Sequence, residues 1–335
     1  MMLERIAFAA LPAEAPPRLA VVVDTEEEFD WGRPLSRDNT DVAAIAAQHR
    51  AQEVFARHGL VPTYVIDYPV ATTPAAVRTL AGFLADGVCE IGAHLHPWVN
   101  PPHEEAVCPE TSYPGNLPPA LEREKLVRLT TAITENLGRR PTVYRAGRYG
   151  VGPNTGAILE ELGYHVDTSV VPHTSFAADG GPDFRGQDYR PYWFGSDRRL
   201  LEIPLTAGFC GAFRGAGPAL FPALAAPLPM ALHAPGLCAR LGLLERIRLT
   251  PEGIDADALK RLTASMLAQG CRLFTLSYHS PSLAPGNTPY VRDEAELHRF
   301  LDVLDGYFRF FFDDLGGAPT TPARVHDQLV AAPSD

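Results

Sequence analysis

Several pairs of titratable residues in this chain have spacings that suit acid–base or metal chemistry. Asp24 and Glu26 lie two apart in the run Leu19-Ala20-Val21-Val22-Val23-Asp24-Thr25-Glu26-Glu27-Glu28-Phe29-Asp30-Trp31. On an extended backbone, residues two apart share a face. Two carboxylates on one face repel each other unless a cation or an arginine sits between them. The rest of the chain must therefore supply positive charge or a metal. His94 and His96 are also two apart, Arg145 and Arg148 bring guanidinium groups, and Asp167 and His279 add one more carboxylate and imidazole. Each has an ordinary reading when taken alone. A strand-end histidine is commonly a hydrogen-bonded structural residue, Arg145 could be a surface arginine, and Asp167 before Thr168-Ser169 could serve a turn. Glu27 and Asp30 read as members of a solvated acidic turn.

The joint pattern gains weight from the elements that must carry it. Seven strands are expected: Leu19 onward, Val61 to Ile66, Val88 to Ala93, Thr142 to Arg145, His165 to Val171, Leu200 to Leu205 and Arg272 to Tyr278, and the candidates fall at five of them. Three successive valines before Asp24 fit a strand buried on both faces of a parallel sheet. Between these runs fall helical patterns, with helices expected from Asp41 to about Arg57, from Pro74, from Leu121 to Leu137, from Pro153 and from Asp255 to Ala268. Another is expected from Asp293 to Phe311. Alternating strands and helices imply parallel strands joined by right-handed crossovers. About seven strands, each discharging polar residues at its C-terminal end, favour a (β/α) barrel whose candidates converge on one rim. The first strand lacks the glycine-rich fingerprint of dinucleotide binding. The Pro- and Gly-rich stretch from Val99 to Pro119 has the length of a loop that covers a site. Residues 1–17 are expected to be a loose arm and 319–335 a loose tail. Residues 18–318 are expected to form a single domain with a Pro/Ala-rich insertion at about 207–250, whose apolar fragments have no clear assignment.

Composition narrows the partners. The chain has 335 residues, is 46% hydrophobic and carries a formal net charge of -11. That balance opposes nucleic acid or an anionic surface as the main partner. No apolar run is long enough to span a bilayer. The first residues lack a basic start and an apolar stretch of signal length, so a cytoplasmic location is expected. Five scattered cysteines without a CxxC pair are expected to be free thiols.

Read in order, the motifs resemble those of a known family. Asp24-x-Glu26, Glu90-Ile91-Gly92-Ala93-His94, Arg145-Ala146-Gly147-Arg148-Tyr149-Gly150, Asp167-Thr168-Ser169 and Leu276-Ser277-Tyr278-His279-Ser280-Pro281 are similar to the five ordered motifs of the polysaccharide deacetylases, carbohydrate esterase family 4. Within it the chain resembles the bacterial branch with DTEEEFDW and HLHPW signatures. The resemblance spans residues 19 to 283. It implies an incomplete, seven-stranded parallel (β/α) barrel that hydrolyses an N-acetyl or O-acetyl group on a sugar or polysaccharide precursor. It also assigns roles. Asp24 matches the base and Arg145 the arginine that keeps it ionised. Glu26 and His94 match metal ligands, and the backbone near Tyr149 matches the oxyanion donor. His279 matches the general acid, with Asp167 orienting its ring. The implied cofactor is a divalent metal, zinc being the expected one. One position departs from the pattern: the family's second metal histidine would fall at Trp98. His96 could take its place, since two histidines two apart on an extended segment can point the same way. Two alternatives follow from that departure: a metal-independent hydrolase of a small cyclic amide, as in the allantoinase branch, and a degenerate barrel that only binds a sugar.

Overall fold

The computed structural model describes residues 7–9, 11–12, 14–196 and 199–331. Its strands among these residues are β1 (Ala7–Phe8), β2 (Arg18–Thr25), β3 (Thr63–Ile66), β4 (Glu90–Leu95), β5 (Val143–Ala146) and β6 (Val166–Asp167). They continue with β7 (Tyr192–Phe194), β8 (Leu200–Glu202), β9 (Ala207–Cys210), β10 (Glu245–Arg248), β11 (Leu273–His279) and β12 (Ala318–Pro319). The main sheet runs in the order β1-β7-β8-β6-β5-β4-β3-β2-β11. Seven of these strands, β8, β6, β5, β4, β3, β2 and β11, pair in parallel. The curled sheet does not close: β11 is one end, and antiparallel β7 and β1 are the other. The architecture is the expected incomplete seven-stranded barrel.

Register explains which side chains meet. In a parallel ladder, paired residues share a face. The inward face carries Val22, Val65, Val143, Val166 and Leu201, which pack together in the barrel floor. Asp24, His94 and Arg145 follow two residues after inward or inward-paired positions, so they crown the same face. His279 pairs directly with Asp24. The outward face packs against helices, with Leu19, Val21, Val23, Tyr64 and Tyr144 in the larger core. β2 is buried on both faces, so the main effect of a one-residue slip would be to turn Asp24 away from the site and toward the helices.

Local chemistry ends and starts the connecting elements. Asp67 caps the helix Tyr68–Thr72 by accepting the Val70 N–H at 2.8 Å. The helix Pro119–Leu137 stops at Gly138, whose φ of 67° is left-handed. The expected helix from Asp41 is instead a 3-10 turn, Ala43–Gln48, running into the α-helix His49–Arg57. Its entry is held by Glu28, which accepts the Ala44 N–H at 2.6 Å, and not by Asp41.

The described parts of both terminal segments are tied down, against the expectation of a loose arm and tail. Ala7–Phe8 pairs with β7 and Ala9 is buried. β12 pairs with Arg18 and Leu19, the part of β2 that β3 does not reach, and the helix Pro322–Ala331 buries Val325 against the barrel floor. An open edge with free backbone groups attracts such partners. Residues 1–6 and 332–335 lie outside the described residues. The insertion also gains an assignment. β9 and β10 form an antiparallel ribbon whose base bonds to β11, with Thr206 N–H to Thr275 O and Ser277 N–H to Leu249 O, both at 3.2 Å. Three short helices, Gly217–Leu224, Pro227–Ala231 and Ala234–Arg240, cross between the two strands. All five cysteines are free thiols. No helix among the described residues is long and apolar enough to cross a membrane.

Candidate active site

The strand ends open into a cavity of about 710 Å³ lined by Asp24, Glu26, His94, His96, Tyr149 and His279, with Trp31, Trp98 and Tyr290 among its aromatic walls. That size suits a small-molecule site, typically about 300–1,000 Å³. The loop after His96 does overhang it, through Val107, Cys108 and Pro109. Buried Lys125 anchors the base of that loop by donating to Pro97 O at 2.9 Å, Asn100 O at 2.5 Å and Pro102 O at 2.7 Å, with Glu105 3.1 Å away.

Asp24 is buried against Arg145, whose Nη1 donates to its Oδ1 and also to Ser277 Oγ at 2.6 Å. Arg145 Nε in turn donates to Thr168 O and Oγ1, each at 3.0 Å. Burial pushes the Asp24 carboxyl up, but the Arg145 charge and hydrogen bond, together with His94 and His279, outweigh it and hold the group below its ordinary value. Asp24 is thus kept as an anion at the centre of the floor.

One wall holds two neutral histidines. His94 Nδ1 lies 3.0 Å from Arg145 O, an atom that only accepts, so Nδ1 carries the proton. His96 Nδ1 lies 2.7 Å from Glu27 Oε2, whose other oxygen accepts Trp98 Nε1–H at 2.7 Å. The His96 and Trp98 rings stack with centroids 4.2 Å apart. Both Nε2 lone pairs then face Glu26 Oε2, at 3.5 Å from His94 and 3.4 Å from His96, while Glu26 Oε1 is buried without a partner. Burial lowers His94 and takes His96 down to about 4, so neither ring carries a charge to meet the carboxylate. Burial, helped by the Glu27 charge and opposed by His279 and His94, raises Glu26 to about 7. When Glu26 is ionised, three electron pairs converge in this corner, and a proton or a cation relieves their repulsion. The ligand atoms of Glu26, His94 and His96 all lie within 4.8 Å of one another, a group that could hold a metal ion. Each histidine is held by a hydrogen bond from its other nitrogen, the usual support of a metal-binding imidazole. Glu27 is itself fixed through its N–H to Asp67 Oδ2 at 2.6 Å. Gly147 permits this approach: a Cβ there would run into Leu95 O and the His96 ring.

The opposite wall holds a charged histidine. His279 Nδ1 lies 2.8 Å from Glu252 Oε2, and its backbone N–H donates to Glu252 Oε1 at 3.0 Å. Ser282 Oγ donates to the same Oε1 at 2.7 Å. Burial opposes charging of the ring, but Glu252, with Glu26 and Asp24 behind it, raises His279 well above the ordinary histidine range. Its Nε2 is 3.8 Å from Asp24 Oδ2, and the Trp31 ring meets it edge-on at 5.1 Å.

Between the walls, Arg148 and Tyr149 adopt left-handed backbone angles, with φ of 52° and 61°. For residues other than glycine this costs of order 1–3 kcal/mol each and gathers at functional sites.

No family model matches the sequence, and no curated relative matches it. Solved structures do. One from Pseudomonas aeruginosa PAO1, assigned as a polysaccharide deacetylase, is 16% identical over 98% of this chain and 96% of its own, with a TM-score of 0.58. One from Mycobacterium smegmatis with the same assignment is 18% identical over 97% and 94%, with a TM-score of 0.54. The Puue allantoinase is 15% identical over 99% and 96%, with a TM-score of 0.61. The chain has the polysaccharide-deacetylase fold.

On that deacetylase fold, Asp24, Glu26, His94, His96, Arg145, Tyr149 and His279 gather around one cavity floor. Asp167 does not join them. It pairs with Tyr144, one residue before Arg145, and so points to the outward face. There it lies in register with Glu202 and accepts from Ser169 Oγ, which also accepts the Ala146 N–H at 2.8 Å. Burial raises Asp167 to about 6 and Glu202 well above its ordinary value, so the pair shares protons instead of serving His279. Two contributors escape the sequence reading. Glu27 is buried, not solvated, and it orients His96. Glu252 orients His279, but it arrives on the Pro251-Glu252-Gly253 loop beyond the insertion, where no periodicity or motif marks it.

Proposed function

We propose that this protein is a carbohydrate deacetylase that hydrolyses an acetyl group from a sugar, assisted by a divalent metal at Glu26, His94 and His96. The observation that carries the proposal is the convergence of two unprotonated Nε2 atoms and a buried carboxylate beside an ionised Asp24. With Trp98 at the family's usual second-histidine position, His96 is the third ligand in this reading. Zinc suits two imidazoles and one carboxylate. A cation held there would polarise the acetyl carbonyl and lower the pKa of a water molecule to about 7.

The chain's own residues supply the proton chemistry. Asp24, kept ionised by Arg145, takes a proton from the attacking water as its oxygen bonds to the acetyl carbon. The backbone N–H at Tyr149 donates to the carbonyl oxygen as negative charge develops there. His279 Nε2 gives its proton to the leaving nitrogen or oxygen as the carbon–heteroatom bond breaks, releasing acetate and the free amine or hydroxyl. Glu252 keeps His279 charged for that step.

The second reading, metal-independent opening of a small cyclic amide, is favoured by Trp98 and by the Puue allantoinase likeness. Acetate release from a panel of acetylated sugars separates the two. Release by the metal-loaded protein, lost in Asp24→Asn, supports the deacetylase. No release from any sugar, with allantoin hydrolysed by protein dialysed against a chelator, overturns it.

A further inference from the structure

Three arginines line the cavity, and two of them are neutralised. Arg33 Nε lies 3.1 Å from Asp30 Oδ2, and Arg148 Nη2 lies 2.9 Å from Asp179 Oδ2. Arg248 is different. Its hydrogen bond goes to a neutral group, Nη2 donating to Tyr149 Oη at 2.9 Å, and its guanidinium sits 5.5 Å from that ring's centroid. Its Nε is buried without a partner. Glu252, the acid four residues on, has both oxygens committed to His279 and Ser282. No ion pair of Arg248 is found among the described residues.

Arg246 strengthens the contrast. It lies two residues earlier on β10, hence on the same face. It too donates to neutral oxygens, Pro172 O at 3.0 Å and Thr174 Oγ1, and its Nε is also buried without a partner. Burial, with the Arg248 charge beside it, lowers Arg246 to about 10. Among the described residues, two neighbouring guanidinium groups of a chain of net charge -11 thus make no ion pair, one of them at the cavity wall, where Glu252 acts on Arg248 only at longer range. A part-buried guanidinium with a free N–H and no ion pair has donors left for a ligand, and its fork is the side chain that best matches a carboxylate or phosphate.

We propose that Arg248 is a specificity-determining residue that binds an anionic group, a carboxylate or a phosphate, carried by the substrate. That the substrate is an acetylated sugar rests on the deacetylase reading; the anion subsite rests on the cavity itself. The subsite lies on the His279 side, because Trp31 meets both His279, at 5.1 Å, and Tyr290, at 5.6 Å, and Tyr290 is within electrostatic reach of Arg248. His279 faces the leaving group, so the anion belongs to the sugar and not to the acyl group.

The test is calorimetric binding of N-acetylglucosamine, N-acetylglucosamine 1-phosphate and N-acetylmuramate, which bears a carboxylate. The metal-loaded wild type, Arg248→Gln and Arg248→Lys are compared, with thermal melts to confirm folding. The wild type should bind at least one anionic probe about tenfold or more tighter than the neutral sugar. Arg248→Gln should erase that preference, and Arg248→Lys should restore part of it. Preference for the phosphate alone or the carboxylate alone identifies the group. Equal binding of all three probes by the wild type, or a preference that survives in Arg248→Gln, overturns the proposal. Anion-selective binding without acetate release from any probe would leave the subsite standing and remove the deacetylase reading.

Discussion

The two walls of the cavity treat histidine in opposite ways. At His94 and His96, the partners of Nδ1 are a backbone carbonyl and a carboxylate already shared with Trp98, and burial keeps both rings neutral with their lone pairs turned inward. At His279, Glu252 faces Nδ1, and further carboxylates beyond the ring hold it cationic with a proton turned inward. Asp24 lies between, ionised in both directions. The same side chain becomes a lone-pair donor or a proton donor according to what stands behind it. The lesson is that the outer partners, Glu27 and Glu252, set the chemistry as much as the rings do.

The largest effect should come from the proton-donating wall. Replacing His279 with alanine should lower the rate by about 10² to 10⁴, while the melting temperature and bound metal stay near wild type. A melting temperature that falls in step with activity would instead make His279 a structural residue. On the other wall, Glu27→Gln should weaken metal binding about 10- to 100-fold, measured by competition with a chelator, and leave the pH profile of the loaded enzyme in place. Unchanged metal affinity would mean that Glu27 does not govern His96.

Glu252→Gln should act through pH. Glu252 raises the His279 pKa, and in the proposed reaction His279 must be protonated to give up its proton. Without that negative charge the pKa falls, so the alkaline limb of the kcat profile should move to lower pH, with activity recovering as pH drops. An alkaline limb that stays where it is would break the comparison between the walls. The smallest effect is expected of Asp167→Asn. The change should leave kcat and its pH profile alone and alter stability by about 1 kcal/mol, because the side chain points to the helices. A shift of the alkaline limb in this variant would restore Asp167 as the partner of His279.

These outcomes also mark how far the sequence could be read. Alternating strands and helices, together with polar residues at strand ends, suffice for the barrel and for Asp24, His94, Arg145 and His279. Those positions follow from strand parity, which a sequence displays. The facing of Asp167 is not legible in the sequence, because β6 is only two residues long and pairing with Tyr144, not any pattern of its own, decides it. In Glu26-Glu27-Glu28, a run of like residues cannot reveal which carboxylate turns into a dry network with Asp67 and Trp98. Glu252 depends on a long-range approach through the β9–β10 ribbon, and the apolar fragments before it gave no register. The tail looked loose because the vacant lower edge of β2, which β12 fills, exists only once the sheet is formed.

The central claim is that the neutral wall holds a metal and the charged wall does not need one. Elemental analysis of the purified wild type, His96→Ala and His279→Ala, paired with acetate release, tests it most directly. The account predicts stoichiometric divalent metal in the wild type and in His279→Ala, and loss of both metal and activity in His96→Ala. A wild type that stays fully active after its metal has been removed by a chelator would contradict it.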